Sequence, residues 1–306
     1  KIQTGDNTGA ITDLRRAVAL RPIAAEYRHH LGCALLAAEQ LADAVEAFEH
    51  ALVVAPDHGE AIHNLGQALR QAGQFAEAAR YLLRAVAIRP EVTDWRIELA
   101  ACLRETDRSS NALKVLADIL ASGSVSIELC FEFALAHRAL DQVRAAEPWL
   151  RRAVLLAPSN TKLLNNMAQS EVDHDRTAAA ARLGNWATMT APHDVTIRTN
   201  RAIFLLINGN LAAGWQEFRW RHGKPEVALE RLGLPVEWTG AALEQGTLLV
   251  WQEQGIGDEV LFVSCVRDVA RQSKAPVIVE CEPRLRALFA RSFPEAEFID
   301  KLKRTA

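Results

Sequence analysis

Residues 59–92 read GEAIHNLGQALRQAGQFAEAARYLLRAVAIRPEV, in which apolar residues recur at helical spacing before and after Gly73. This pattern predicts a helix–turn–helix unit. The unit repeats along the chain, because one of its positions holds alanine or glycine every 34 residues: 10, 44, 78, 112, 146, 180 and 214. A helical hairpin of this length cannot bury its apolar face alone. The period therefore predicts a stack of such units.

Proline closes most copies of the period. It stands at residues 22, 56, 90, 158 and 192, and Ser124 occupies the remaining place. Proline ends a helix because it has no amide donor and disfavours helix in the residue before it. Small residues at positions 8, 20 and 27 of the period let helix backbones approach closely. Together these features resemble tetratricopeptide repeats, which implies an α-solenoid.

Placing Gly66 at position 8 sets the frames of the repeats. They comprise a partial repeat over 1–24, full repeats over 25–58, 59–92, 93–126, 127–160 and 161–194, and a last one over 195–222. Residues 93–126 are the most degenerate, yet the register resumes after them without slippage. The chain opens in mid-repeat and lacks an initiator methionine, so we expect Lys1 to be a boundary and not a natural start.

The period stops near residue 222. Residues 223–246 contain two prolines and four glycines in a non-helical pattern and are predicted to be a linker. Residues 247–306 alternate strand-like and helix-like runs, with strands expected at 247–252, 277–281 and 296–299 and helices at about 258–272 and 284–291. This alternation predicts the beginning of a parallel, Rossmann-like α/β domain. Its length is below that of an ordinary domain, so we expect it to be cut off at Ala306. The predicted fold class is mainly α.

The loop Glu253–Asp258 (EQGIGD) lies between the first predicted strand and the following helix. Glycines there let a ligand approach the backbone at a helix N-terminus. The loop fails as a dinucleotide fingerprint, because Val260 replaces the third glycine. Asp258 would repel a phosphate but is well placed to accept a proton from a hydroxyl. The alternative, that Asp258 only caps the helix, stays open.

Three segments carry a more specific resemblance: 214–221 (GWQEFRWR), 236–240 (VEWTG) and 248–258 (LLVWQEQGIGD). In this order they resemble bacterial tetratricopeptide proteins fused to a GT-B, heptosyltransferase-like glycosyltransferase domain. The layout is also similar to O-linked N-acetylglucosamine transferase and flagellin-modifying relatives. The resemblance implies that Asp258 is a candidate base and that Glu253, Gly255 and Gly257 shape an acceptor pocket.

The resemblance also implies a nucleotide sugar as the donor substrate of the whole protein. The second lobe, which holds that donor in GT-B enzymes, is not within residues 1–306. No donor-binding residue is therefore assigned. We expect no cofactor and no transferase activity in this fragment.

The repeats suggest a binding surface of their own. Positions 2, 5, 6, 9 and 12 of each first helix are expected to line a concave groove. Position 6 holds His30, Asn64, Glu98, Glu132, Asn166 and Asn200. A ladder of asparagines, each with a donor and an acceptor, can grip the backbone of an extended polypeptide. The run resembles the asparagine ladder of O-linked N-acetylglucosamine transferase, although two glutamates interrupt it.

For any single position the alternative is a solvated polar residue. Further candidate groove residues are Glu60, His63, Gln67, Arg70, Glu128, Phe131 and Arg138. This mixed polar and apolar set suits a polypeptide better than a small molecule. We therefore expect a polypeptide client in the groove; the oligomeric state is not predicted.

Composition and charge narrow the classes of function. The net charge of −3 gives no reason to expect nucleic acid, and no run is long and apolar enough for a membrane span. The five cysteines include no CxxC pair and the nine histidines no HExxH motif. Free thiols in the cytoplasm and no metal site are therefore expected. Two functions remain: a protein glycosyltransferase whose repeats recruit its acceptor, and a non-catalytic scaffold with a vestigial α/β end.

Overall fold

The computed structural model describes residues 7–223, 237–252 and 255–301. The chain divides into two compact units between Gln216 and Glu217. The helices of the first unit are α1 (Asn7–Leu20), α2 (Ala25–Ala37), α3 (Leu41–Val54), α4 (Gly59–Gln71), α5 (Phe75–Ile88), α6 (Thr93–Glu105), α7 (Ser109–Ala121), α8 (Ile127–Ala139), α9 (Val143–Leu156), α10 (Thr161–Asp173), α11 (Thr177–Thr190), α12 (Val195–Ile207) and α13 (Leu211–Phe218). The predicted mainly helical solenoid is confirmed.

Small residues sit where helix backbones come closest. The alanines at position 20 are fully buried in five successive repeats: Ala44, Ala78, Ala112, Ala146 and Ala180. A Cβ on Gly32 would lie 2.5 Å from the Phe48 ring, and one on Gly66 would lie 2.8 Å from Leu82 Cγ. No side chain fits there unless its neighbour moves. The 34-residue spacing of small residues thus follows from the packing of successive helices.

The turn inside each repeat has one shape. Position 15 is left-handed in every repeat, with φ between 57° and 80°: Glu39, Gly73, Asp107, Asp141, Asp175 and Gly209. The amide of the next residue bonds back to the first helix, as Gln74 N does to Leu69 O at 2.9 Å. This is a Schellman-type helix end, which favours glycine at the left-handed residue. Four repeats tolerate an acidic side chain there instead.

Polar caps begin several of the first helices. The side chains of His58, Ser126, Asn160 and Asp194 each accept a hydrogen bond from the amide three residues later. Such caps satisfy amides that have no partner within the helix. Together with the proline that precedes three of them, they fix where one repeat ends and the next begins.

The second unit contains a small parallel sheet. Strands β1 (Leu248–Val250), β2 (Val277–Cys281) and β3 (Glu297–Asp300) pair in the order β1-β2-β3. The helices are α14 (Ile256–Phe262), α15 (Val266–Ser273) and α16 (Pro283–Ser292). The predicted strands and strand–helix alternation are present. The single helix expected over 258–272 is instead two helices joined by a 3₁₀ turn, Val263–Cys265.

Residues 224–236 of the predicted linker lie outside the described part of the chain. Of its described residues, Gly223 ends a 3₁₀ helix (Arg219–Gly223), and 237–246 contain no helix or strand. None of the helices that the structure describes is long and apolar enough to cross a membrane.

Candidate functional site

The first helices of the repeats, α2, α4, α6, α8, α10 and α12, form a surface that we call the first-helix face. Its polar side chains bond across neighbouring repeats, and several of these bonds join residues 35 positions apart. Asn64 Nδ2 lies 2.9 Å from His29 Nε2, and His63 Nε2 lies 3.0 Å from Glu98 Oε2. Asn200 Nδ2 donates to Asn165 Oδ1 at 3.0 Å. Position 6 of one repeat therefore contacts position 5 of the repeat before it.

In the first three full repeats these contacts join into one row. His63 Nδ1 lies 3.2 Å from Asn64 Oδ1, so His29, Asn64, His63 and Glu98 are linked in sequence. The His63 ring also stacks on Trp95, with centroids 4.7 Å apart. A row with so many internal contacts is held in place before any ligand arrives.

His29 is the least expected member of this row. Its neighbour His30 is exposed, whereas His29 is half-buried. Burial, together with the neighbouring His58 and His30, lowers the pKa of His29 to about 4. His29 is thus neutral at physiological pH, which suits an imidazole nitrogen that accepts a hydrogen bond from Asn64.

Cys33 joins His29 and Asn64 to make a cysteine–histidine–asparagine cluster. Its Sγ lies 3.6 Å from His29 Nε2 and 3.3 Å from Asn64 Nδ2. A nucleophilic cysteine needs a lowered pKa and a base whose other nitrogen is oriented by a third group. Here burial raises the pKa of Cys33, and Asn64 contacts the same ring nitrogen that faces the thiol. The cluster is therefore structural.

Asn166 departs from the predicted ladder. Its Nδ2 donates to Lys162 O within its own helix, at 2.8 Å. The residue 35 positions earlier is Phe131, which offers no hydrogen-bond acceptor. Phe131 is half-buried, and the Lys162 ammonium lies 5.0 Å from its ring centroid. The structure thus brings Asn64 and Asn200 into contacts between repeats but not Asn166.

The remaining predicted groove residues fall into two groups. Arg138 Nη2 lies 3.1 Å from Asp173 Oδ2, and Glu60 pairs with Arg89. Gln67 and Arg70 are half-buried, and neither makes a hydrogen bond or ion pair within the part of the chain that the structure describes. These two side chains keep polar groups available for a ligand.

The glycine loop of the second unit follows β1. Gly255 is the N-cap of α14, and a Cβ on Gly255 or Gly257 would meet nothing within 4 Å. Asp258 is the third residue of that helix and is half-buried, and its carboxylate has no hydrogen-bond or ion-pair partner among the described residues. Asp258 therefore does not cap the helix here. Glu253 lies outside the described residues.

Glu259 ties the ends of two strands together. It accepts hydrogen bonds from the Gln252 side-chain amide and, at 2.8 Å, from the backbone amide of Glu282. The almost fully buried Glu280 accepts from Gln252 N at 3.3 Å. These contacts lie at the carboxyl end of β1 and β2, the edge of a parallel sheet where ligands commonly bind.

No group of three metal-binding side chains occurs among the described residues. Comparison with known proteins clarifies the first unit. Two family models described as tetratricopeptide repeat match residues 1–59 and 29–92, and residues 69–129. Together these matches cover residues 1–129.

Protein FlbA of Caulobacter vibrioides is 31% identical over 149 residues, which cover 46% of this chain and 25% of that protein. The match thus spans a quarter of that relative. A tetratricopeptide repeat protein from Parabacteroides merdae has a TM-score of 0.64 at 15% identity, covering 76% of this chain and 93% of its own.

Protein TTC0263 of Thermus thermophilus, also a tetratricopeptide repeat protein, has a TM-score of 0.52 at 23% identity, covering 60% of this chain and all of its own. At these identities the two structures show the shared fold alone. They extend the helical likeness beyond the residues that the family models match.

Sequence reasoning missed three contributors to these sites. His29 and Trp95 contact predicted groove residues, and Glu259 holds the strand ends beside the loop. A signal for His29 was present, because a polar residue at position 5 precedes a polar residue at position 6 of the next repeat. Glu259 had no such signal.

Proposed function

We propose that the tetratricopeptide array recruits a polypeptide acceptor to a glycosyl-transfer site on the α/β unit. The fold itself is a scaffold for protein interaction. The observation that carries the recruitment step is the row of cross-repeat hydrogen bonds on the first-helix face. These bonds hold half-buried polar groups in fixed positions, which lowers the entropy cost of binding an extended segment.

The polar groups left over on this face match a polypeptide. The Gln67 amide supplies both a donor and an acceptor, which is what a peptide backbone requires. Gln67 and Arg70 lie one turn apart on α4 and have no partners in the described chain. A polypeptide client that crosses α4 would contact both side chains.

The transfer step rests on the loop after β1. In open α/β sheets, ligands bind at the carboxyl ends of the strands. Gly255 and Gly257 leave space there, and Asp258 presents an unpaired carboxylate. In the proposed reaction, Asp258 takes the proton of an acceptor hydroxyl as that oxygen attacks the anomeric carbon and the nucleotide leaves. The role of Glu253 in shaping the acceptor pocket stays a prediction.

The proposal requires a donor-binding lobe of GT-B type in addition to residues 1–306, and it assigns no residue to the nucleotide sugar. The second candidate function is a non-catalytic scaffold. It is favoured by the family models that match residues 1–129, because both describe tetratricopeptide repeats. The two candidates share the binding step and differ only in the chemistry.

A kinetic experiment on the whole protein separates the two. Transfer from a panel of radiolabelled sugar nucleotides to polypeptide is measured for the wild type and for a variant with Asn64, Asn166 and Asn200 changed to alanine. We expect a higher KM for the polypeptide and little change in kcat, because these residues bind and do not react. Asn111→Ala, an exposed change on α7, is the control.

Absence of transfer with every sugar nucleotide would favour the scaffold. Transfer with an unchanged KM in the triple variant would contradict recruitment by this face. Melting temperatures are measured in parallel, since Asn64 and Asn200 also bond between repeats.

A further inference from the structure

Arginine occupies position 12 in three successive repeats, at residues 70, 104 and 138. Arg104 bonds to Glu132 at 3.2 Å and to Glu105 at 2.6 Å. Arg138, as described, pairs with Asp173. Arg70 has the equivalent place in its repeat, yet no carboxylate among the described residues contacts it. The three arginines are thus alike in position and unlike in pairing.

The reason lies in which carboxylates are already bound. Glu98 stands where Glu132 stands one repeat later, but it contacts His63 at 3.0 Å. Glu105 stands where Asp173 stands two repeats later, but it contacts Arg104. Both carboxylates that could have neutralised Arg70 therefore have other partners.

Arg70 is also partly closed off from solvent. Its Nε is buried and has no acceptor in the described chain, although the residue as a whole is only half-buried. A cation in such a place lacks both full hydration and a counter-charge, so an added anion is favoured. The remaining guanidinium nitrogens form a planar fork that matches a carboxylate.

We propose that Arg70 binds the side-chain carboxylate of an aspartate or glutamate in the polypeptide that crosses the first-helix face. This inference rests on the proposed function, because it names the chemistry of the client. Gln67, one turn earlier on α4, contacts the backbone of the same segment. Arg138 also has an unpaired buried nitrogen, but Asp173 already neutralises it. Of these two arginines, Arg70 is therefore the one that binds the acidic residue of the client.

The test begins with an array of synthetic peptides of about 16 residues, long enough to cross several repeats when extended. All are amidated at the C-terminus, so a terminal carboxylate cannot mimic the side chain. The tightest binders are remade with each aspartate changed to asparagine and each glutamate to glutamine. Their Kd values are measured by fluorescence anisotropy against the wild type, Arg70→Gln and Arg80→Gln. Arg80 is exposed on α5 of the same repeat and matches the loss of charge.

We expect one acidic residue whose replacement weakens binding to the wild type about tenfold, the usual range for a charged hydrogen bond. The same replacement should have little effect on Arg70→Gln, and Arg80→Gln should behave like the wild type. This coupling between the two changes is the signature of a direct contact.

Two other outcomes overturn the inference in distinguishable ways. Peptides that bind with no preference for acidic residues, or equal affinities for Arg70→Gln and Arg80→Gln, contradict the role of Arg70 and leave the proposed function standing. No binding by any peptide to a folded wild type contradicts the proposed function as well. Circular dichroism confirms the fold of each variant.

Discussion

The first-helix face and the loop after β1 treat their polar groups in opposite ways. On the face, side chains of one repeat bond to those of the next, as His63 does to Glu98. In the loop, the Asp258 carboxylate has no partner among the described residues, although Glu259 beside it has two. A paired row is suited to holding a ligand in a fixed place, whereas an unpaired carboxylate is available for proton transfer. The proposed division, with binding on the first unit and chemistry on the second, rests on this difference.

The largest expected effect concerns Asp258. In the whole protein, Asp258→Asn should lower kcat by roughly 10²–10⁴-fold, the usual contribution of a general base. Polypeptide affinity should stay unchanged, because the first-helix face is intact. Asp268→Asn removes an exposed acid from α15 and is the control. Near-normal turnover of Asp258→Asn would contradict the proposed role of Asp258 as the base.

Two glycine substitutions compare how closely neighbouring atoms pack against a glycine in each unit. Gly32→Ala places a Cβ 2.5 Å from the Phe48 ring and should lower the free energy of unfolding by about 1–3 kcal/mol. Gly257→Ala meets no atom within 4 Å and should leave stability unchanged or slightly higher. Urea denaturation measures both. A large loss of stability in Gly257→Ala would mean that the loop glycine serves packing and not ligand access.

His29 should make the stability of the first unit depend on pH. Its folded pKa of about 4 lies below the ordinary value of 6.5, so the unfolded chain takes up the proton first as pH falls. The contribution of His29 to the free energy of unfolding is therefore fully present above pH 6.5 and is lost as the pH falls toward 4. After allowance for partial exposure it amounts to about 1–2 kcal/mol.

The measurement compares urea denaturation of the wild type and His29→Gln from pH 7 to pH 4. The difference in free energy of unfolding between the two proteins should become smaller as pH falls, because glutamine does not titrate and still accepts a hydrogen bond from Asn64. The exposed His30→Gln should keep most of the wild-type pH dependence. Parallel curves for the wild type and His29→Gln would show that His29 is not held neutral by its surroundings.

The smallest effect concerns left-handed residues, which both units contain. Glu39 ends α2 with φ 59°, and Lys274 ends α15 with φ 56°. Replacing either with glycine should raise the free energy of unfolding by about 1 kcal/mol, because glycine adopts this conformation without a Cβ clash. Glu77→Gly, at an exposed position of helix α5, should lower it by a similar amount. A loss of stability in Glu39→Gly would contradict the shared turn geometry.

The sequence predicted those features that depend on one position at a time. Alanine at position 20 and glycine at position 8 report the closeness of two helices, so their spacing alone predicts the repeats. Contacts between repeats depend on two residues together. Asn64 bonds to His29. Phe131 stands in the equivalent place relative to Asn166, so Asn166 bonds to the backbone of its own helix instead. A list of position-6 residues could not show this.

The loop was predicted only in outline for a related reason. The glycines and Asp258 are contiguous in sequence, so their place between strand and helix could be read directly. Glu259 acts through Gln252 and Glu282, which the fold of the sheet brings beside it. That arrangement depends on the pairing of β1 with β2 and has no local sequence signal.

The central claim, that the first-helix face binds a polypeptide, is tested most directly by site-specific cross-linking. A photoreactive amino acid is placed at Gln67 on α4 or at the exposed Glu77 on α5, and each protein is irradiated with the tightest-binding peptide of the array. Both sites lie in one repeat, so they differ only in the surface they occupy. We predict a peptide adduct from position 67, mapped by mass spectrometry, and little or none from position 77. Equal adducts from both positions, or an adduct from position 77 alone, would contradict the account.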